Sequence, residues 1–187
     1  MNRLFLVAGI LIFSFSVCAQ ADSSSAKVSY FISLHAGGLL GKKGNGTSLT
    51  STFTNGIRYK RLSAGVGIGY DAYIEWRALP VFASLGLDVA RIGSSAFFLE
   101  LQGGYAKTNP WANEEPLRYK QQRGSFFHPV AGYRTTSGNL TVYFVAGYKM
   151  QHLTYEISPT WWGGWGVKNI VKQDIDRFSI QIGIGFR

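Results

Sequence analysis

"SIQIGIGFR", residues 179–187, alternates without a break. Ile180, Ile182, Ile184 and Phe186 share one parity; Ser179, Gln181, Gly183, Gly185 and Arg187 share the other. Residues i and i+2 of a strand lie on the same face. The stretch therefore reads as a strand with one apolar face and one face of small and polar groups.

The same period runs through the chain. Residues 28–37, 62–71, 81–89, 97–105 and 140–150 each alternate apolar with small or polar side chains. Two runs are rougher. Leu49, Phe53, Ile57 and Tyr59 are interrupted by Ser51 and Asn55, and Phe127, Ala131 and Tyr133 have Pro129 on their face. Proline lacks the ladder N–H, which weakens the second run as a strand. With the tail, eight strands are expected, and no stretch carries a helical stripe.

Composition limits the alternatives. A length of 187 residues suits one domain. Charged residues make up 16%, below the roughly 25% of soluble domains, and the chain is too apolar for disorder. Arg3, an apolar run at 4–17 and Ala19-Gln20-Ala21 have the order of a secretory signal peptide. The expected division is a cleaved signal at 1–21 and one barrel domain at 22–187. A retained anchor is disfavoured because the run is shorter than the roughly 20 residues a spanning helix needs. Lipidation at Cys18 is the other alternative, with Val17 bulkier than such sites usually have. Cys18 is the only cysteine, so the expected mature chain has no disulfide.

The connections show a second regularity. Residues 60–61, 91–95 and 135–139 are short turns; 41–46, 72–77, 107–125 and 158–174 are the other connections, the last two long. Alternate connections of an up-and-down meander emerge at one end. The other face of the strands carries His35, Arg58, Asp71, Asp88, Glu100, Arg134 and Lys149, together with Ser29, Ser84, Gln102, Gln181 and many glycines. Mixed charge on that face suits a narrow, filled lumen; uniform apolarity on the opposite face suits lipid. Hydrocarbon tolerates no open sheet edge, so the last strand must pair with the first. The expected fold is all-β: an eight-stranded antiparallel up-and-down transmembrane β-barrel. With short turns in the periplasm, Tyr70, Tyr105 and Tyr148 fall near the outer ends of strands, and Tyr59, Tyr133 and Phe186 near the inner ends. These form two aromatic girdles.

The chain resembles small outer-membrane barrels of the OmpA-transmembrane-domain and OmpX kind. The residues that carry the likeness are Gly69-Tyr70, Gly104-Tyr105, Gly132-Tyr133 and Gly147-Tyr148, and the terminal alternation ending at Phe186. The resemblance implies a bacterial outer-membrane location. It also implies that Ile180, Ile182, Ile184 and Phe186 serve as an assembly signal for the barrel-assembly machinery, although Arg187 follows the aromatic usually found last.

Little else points to chemistry. His35 and His128 lack metal-ligand spacing and read as lumen hydrogen-bonding groups. His152, Thr154 and Glu156 share one face of a strand and hold the components of an acyl-transfer site. Lipid A deacylases resemble this in carrying His, Ser and a carboxylate on a barrel wall, but here His-x-Thr replaces His-x-Ser. Trp161, Trp162 and Trp165 in the last long loop are candidates for an interaction surface, or for packing over the barrel mouth. The expectation is a non-enzymatic monomer with no metal or cofactor, in a structural or surface-interaction role. Its partners would be membrane lipid, lipopolysaccharide and an unidentified surface ligand, not nucleic acid. A lipid A-modifying acyl hydrolase or transferase is the alternative.

Overall fold

The computed structural model describes residues 28–41, 46–73, 76–110, 119–120, 123–157 and 169–187. The expected signal segment and the tryptophan-bearing loop lie outside the described residues. The strands are β1 (Ser29–Gly41), β2 (Thr47–Tyr59), β3 (Leu62–Ala72), β4 (Trp76–Ile92), β5 (Ser95–Pro110), β6 (Tyr119–Lys120), β7 (Arg123–Ser137), β8 (Leu140–Ile157) and β9 (Asn169–Phe186). β9 pairs antiparallel with both β8 and β1, so eight strands close into a ring and the expected barrel is the one formed.

β6 is not part of that ring. It pairs only with the far end of β8, Tyr119 with Ile157 and Lys120 with Glu156. Two residues carry no readable period, so sequence could not reveal this strand. Several strands also outrun their expected limits: β5 reaches Pro110 and β9 begins at Asn169, within connections read as loop. β8 and β9 are each 18 residues long, where roughly 9–11 cross a bilayer. Their shared ladder therefore rises beyond the rest of the wall.

Register sets the tilt. A path crossing the strands from Ser29 runs through Arg58, Ser63, Gly86, Glu100, Val130, Gly147 and Ser179. It returns to β1 at Leu39, ten residues beyond its start. Eight strands with that stagger lean at about 40° to the barrel axis. Each step to the next strand then climbs about 3 Å toward the long-loop end.

Burial alternates with the pleat. Along β9, Ile180, Ile182, Ile184 and Phe186 are exposed, while Ser179, Gln181, Gly183 and Gly185 are buried. Leu34, Phe53, Val66, Leu85, Leu101 and Phe144 also face outward, whereas Ser33, Thr50, Asp71, Gln102, His128 and Lys149 are buried. Such a molecule is inside out for water. A continuous outer belt of large apolar side chains is stable only against hydrocarbon. The rough reading of β2 has a simple cause: Asn55 and Ser51 face outward within the belt, and Asn55 is exposed. Pro129 lies within β7 opposite Leu101, and the β7–β8 ladder skips from Phe127 to Val130 around it.

The tail's glycines now have a cause. Gly183 faces inward against the His35 ring and Gly185 against Tyr143, where a Cβ would overlap those rings. At the short-turn end Gly93 serves differently. Nothing lies within 4 Å of where its Cβ would be, but its φ of +59° is one L side chains rarely adopt.

Candidate functional site: an occluded lumen and an outer rim

The lumen is crossed near its long-loop end. Asp71 on β3 accepts from Thr50 Oγ1 at 2.7 Å and from Lys149 Nζ on β8. In the ring order β1-β2-β3-β4-β5-β7-β8-β9, β3 and β8 stand four places apart, diametrically opposed. The Asp71–Lys149 pair therefore spans the full bore. Tyr73, just past β3, repeats the crossing by donating to Gln151 Oε1 at 2.6 Å. Lys149 Nζ also sits 4.9 Å from the centre of the Phe126 ring.

A neutral relay fills the middle. His128 Nδ1 is 3.0 Å from Gln102 Oε1, and its Nε2 is 2.7 Å from Ser179 Oγ. Gln102 Nε2 donates to Glu100 at 2.9 Å, which fixes the amide with its oxygen toward the histidine. That oxygen only accepts, so Nδ1 carries the proton and Nε2 accepts from Ser179 in the neutral ring. Near the short turns, Asp88 binds Arg134 at 2.5 Å and Arg91 at 2.8 Å. His35 stacks on Tyr143 with centroids 5.0 Å apart, and Arg58 lies 5.1 Å from the centre of the Phe31 ring. Between these groups is a cavity of about 10 Å³, room for about one water. At the short-turn mouth a cleft of about 270 Å³ is lined by Arg91, Arg134, Thr136 and Arg187.

Of the polar residues expected in the lumen, His35, Arg58, Asp71, Asp88, Arg134 and Lys149 are buried, and Glu100 is half-buried. Four girdle tyrosines, Tyr59, Tyr70, Tyr105 and Tyr148, are exposed on the outer surface. Tyr133 is half-buried beside Phe97, 5.1 Å between ring centres. Register puts Tyr70, Tyr105, Phe127, Tyr148 and Phe178 at one level, and Tyr30, Tyr59, Phe97 and Phe186 at another. The two levels are roughly 20 Å apart along the axis, close to the height of an outer-membrane apolar band. Among the described residues no three His, Cys, Asp or Glu side chains gather as a metal site.

At the outer rim the structure adds a partner that the sequence reading did not name. His152 faces outward, and its Nδ1 lies 2.6 Å from Asp174 Oδ1 on β9. The backbones of Thr154 and Glu156 continue β8 opposite Lys172 and Ile170, but their side chains fall outside the described residues. So do Trp161, Trp162 and Trp165. Sequence reasoning passed over Asp174 because 158–174 read as a loop. Extending the tail's parity backward through Phe178, Asp176 and Asp174 would have found it.

No protein-family model and no curated protein matches the sequence. Solved structures do match in fold. The Neisserial surface protein A superposes with a TM-score of 0.61 at 11% identity, covering 86% of this chain and 98% of that one. The N-terminal β-barrel domain of Pseudomonas aeruginosa OprF gives 0.51 at 9% identity, with the same shares covered. The chain thus has the fold of the small outer-membrane β-barrels, in agreement with its own outward apolar belt.

Proposed function

We propose that this protein is a non-conducting outer-membrane barrel, of the OmpA-transmembrane-domain and OmpX kind, that acts through its outer surface in a structural or surface-interaction role. The observation that carries this reading is the Asp71–Lys149 pair, which joins opposite walls across the bore. Eight-stranded barrels are just wide enough to be filled by side chains. What remains for function is the surface: the lipid-facing belt, the extended β8–β9 ladder and the outer loops. Lipid and lipopolysaccharide would contact the belt, and the barrel-assembly machinery would read the Ile180–Phe186 face during insertion. Phe186→Ala should accordingly lower the folded barrel in cell envelopes while the purified variant still refolds in vitro. The decisive measurement is conductance in planar bilayers. The wild type should show no steady open level, and a stable open state would overturn the proposal.

A further inference from the structure

His152 stands between two register partners on the lipid-facing side of the wall. Across β7 it is paired with Ser125, and across β9 with Asp174. All three are exposed on the outer surface. Directly opposed residues of an antiparallel ladder have Cβ atoms about 4.5–5.5 Å apart. A serine hydroxyl is thus within rotamer reach of the imidazole, and the aspartate is already in contact at 2.6 Å. An ionised carboxylate only accepts, so Asp174 holds the proton on Nδ1 and leaves the lone pair on Nε2. That is the tautomer in which a histidine can take a proton from a hydroxyl. The sequence-level grouping of His152, Thr154 and Glu156 along one strand is poorer, because alternate residues of a strand lie about 6.8 Å apart.

The row has a depth. Ser125 is also the partner of Tyr105 on β5, which is 70% exposed and belongs to the outer aromatic level. Because the row climbs about 3 Å per strand, Tyr105 is lowest, Ser125 is next, and Asp174 stands about 9 Å above Tyr105. The hydroxyl therefore sits at the hydrocarbon edge, where lipid ester groups lie, and the carboxylate sits further out, among headgroups and water. Lys107, two residues beyond Tyr105 on the same face, is exposed and suits a lipid phosphate.

We infer that Ser125, His152 and Asp174 form an ester-cleaving site that faces the outer leaflet and acts on O-acyl esters of phosphorylated lipids. Ser125 Oγ attacks the ester carbonyl carbon and passes its proton to His152 Nε2. The carbon–alkoxy bond breaks, and the same proton goes to the departing oxygen. Water then attacks the acyl-serine, giving a proton to Nε2, and the bond to Oγ breaks as the serine regains that proton. The products are a free fatty acid and the de-acylated lipid. Ser125 and His152 are the catalytic residues; Asp174 is a positioning residue. The inference uses the barrel's orientation, goes beyond the surface role proposed above and departs from the expectation of a non-enzymatic barrel.

The test uses the full barrel refolded in vesicles, with folding verified by heat-dependent gel mobility. It is exposed to a fluorophosphonate probe and, separately, to acyl-labelled phosphatidylglycerol or lipid A. The probe should attach at Ser125 by peptide mass spectrometry, and fatty acid should be released from at least one lipid; which one identifies the natural source. Ser125→Ala should abolish both signals, and His152→Ala should lower hydrolysis by about 10³-fold or more. Asp174→Asn should lower kcat with KM retained, and Asp174→Glu should restore part of it. Folded wild type that neither labels nor releases acid overturns the inference, as does a Ser125→Ala barrel that hydrolyses like wild type. Neither result alters conductance, on which the surface reading stands.

Discussion

Two hydrogen-bonded pairs hang from β8 three residues apart, on opposite faces of one wall. Lys149 points inward to Asp71, and their side chains are 3% and 0% exposed. His152 points outward to Asp174, and theirs are 64% and 70% exposed. The residue types are comparable; the surroundings are not. Inside, water cannot replace a missing partner, so each charge depends on the other and the pair acts as a cross-brace. Outside, solvent screens the contact, so it adds little to stability. The pleat alone assigns these opposite roles.

The sharpest way to break this contrast is to remove one inner charge. Lys149→Ala should destabilise the barrel by about 3–5 kcal/mol in urea unfolding from vesicles, because Asp71 remains buried without its cation. Replacing both members, with Asp71→Leu and Lys149→Met, should recover most of that loss. If the single change is tolerated, the pair is not the brace described.

The next largest effect tests the two faces of the tail. Ile182 pairs with Ala36 and Phe144 midway between the aromatic levels. Ile182→Lys should cost roughly 2–4 kcal/mol, the penalty for a lysine on a lipid face near the midplane. Gln181→Lys should cost much less, since its side chain points among polar lumen groups. Equal losses would mean that neither face meets hydrocarbon.

A smaller effect separates two arginines on one carboxylate. Arg134 and Arg91 both bind Asp88 Oδ2, with side-chain exposures of 5% and 43%. Arg91→Ala should cost below about 1 kcal/mol, and Arg134→Ala several times more, read from the same unfolding curves. The smallest effect is at the rim. His152→Ala should change stability by less than about 1 kcal/mol, and what it does change should shrink further in high salt. A large loss there would make the outer pair structural and erase the contrast.

Much of this was legible in the residues. The period of two, repeated eight times, located every wall strand and the direction of both faces. Lys60-Arg61 marked a tight turn, and the turn read at 135–139 is narrower in the structure, Gly138-Asn139. What escaped is specific. β6 has two residues and exists because β8 outruns β7. Asp174 and Ser125 belonged to stretches assigned to loops, and nothing local shows that either neighbours His152.

The sequence by itself determined the parity: which side of each strand is greasy, that the greasy side is the outer one, and that the last strand must seal against the first. Those follow from local geometry and from the cost of an unpaired edge in hydrocarbon. Only the closed structure decided the partners. Asp71 and Lys149 are 78 residues apart in the chain and meet because a ring of eight places β3 opposite β8. Ser125, His152 and Asp174 align because two registers agree. Register across a barrel is a collective property of the ring's stagger, and no single strand carries it.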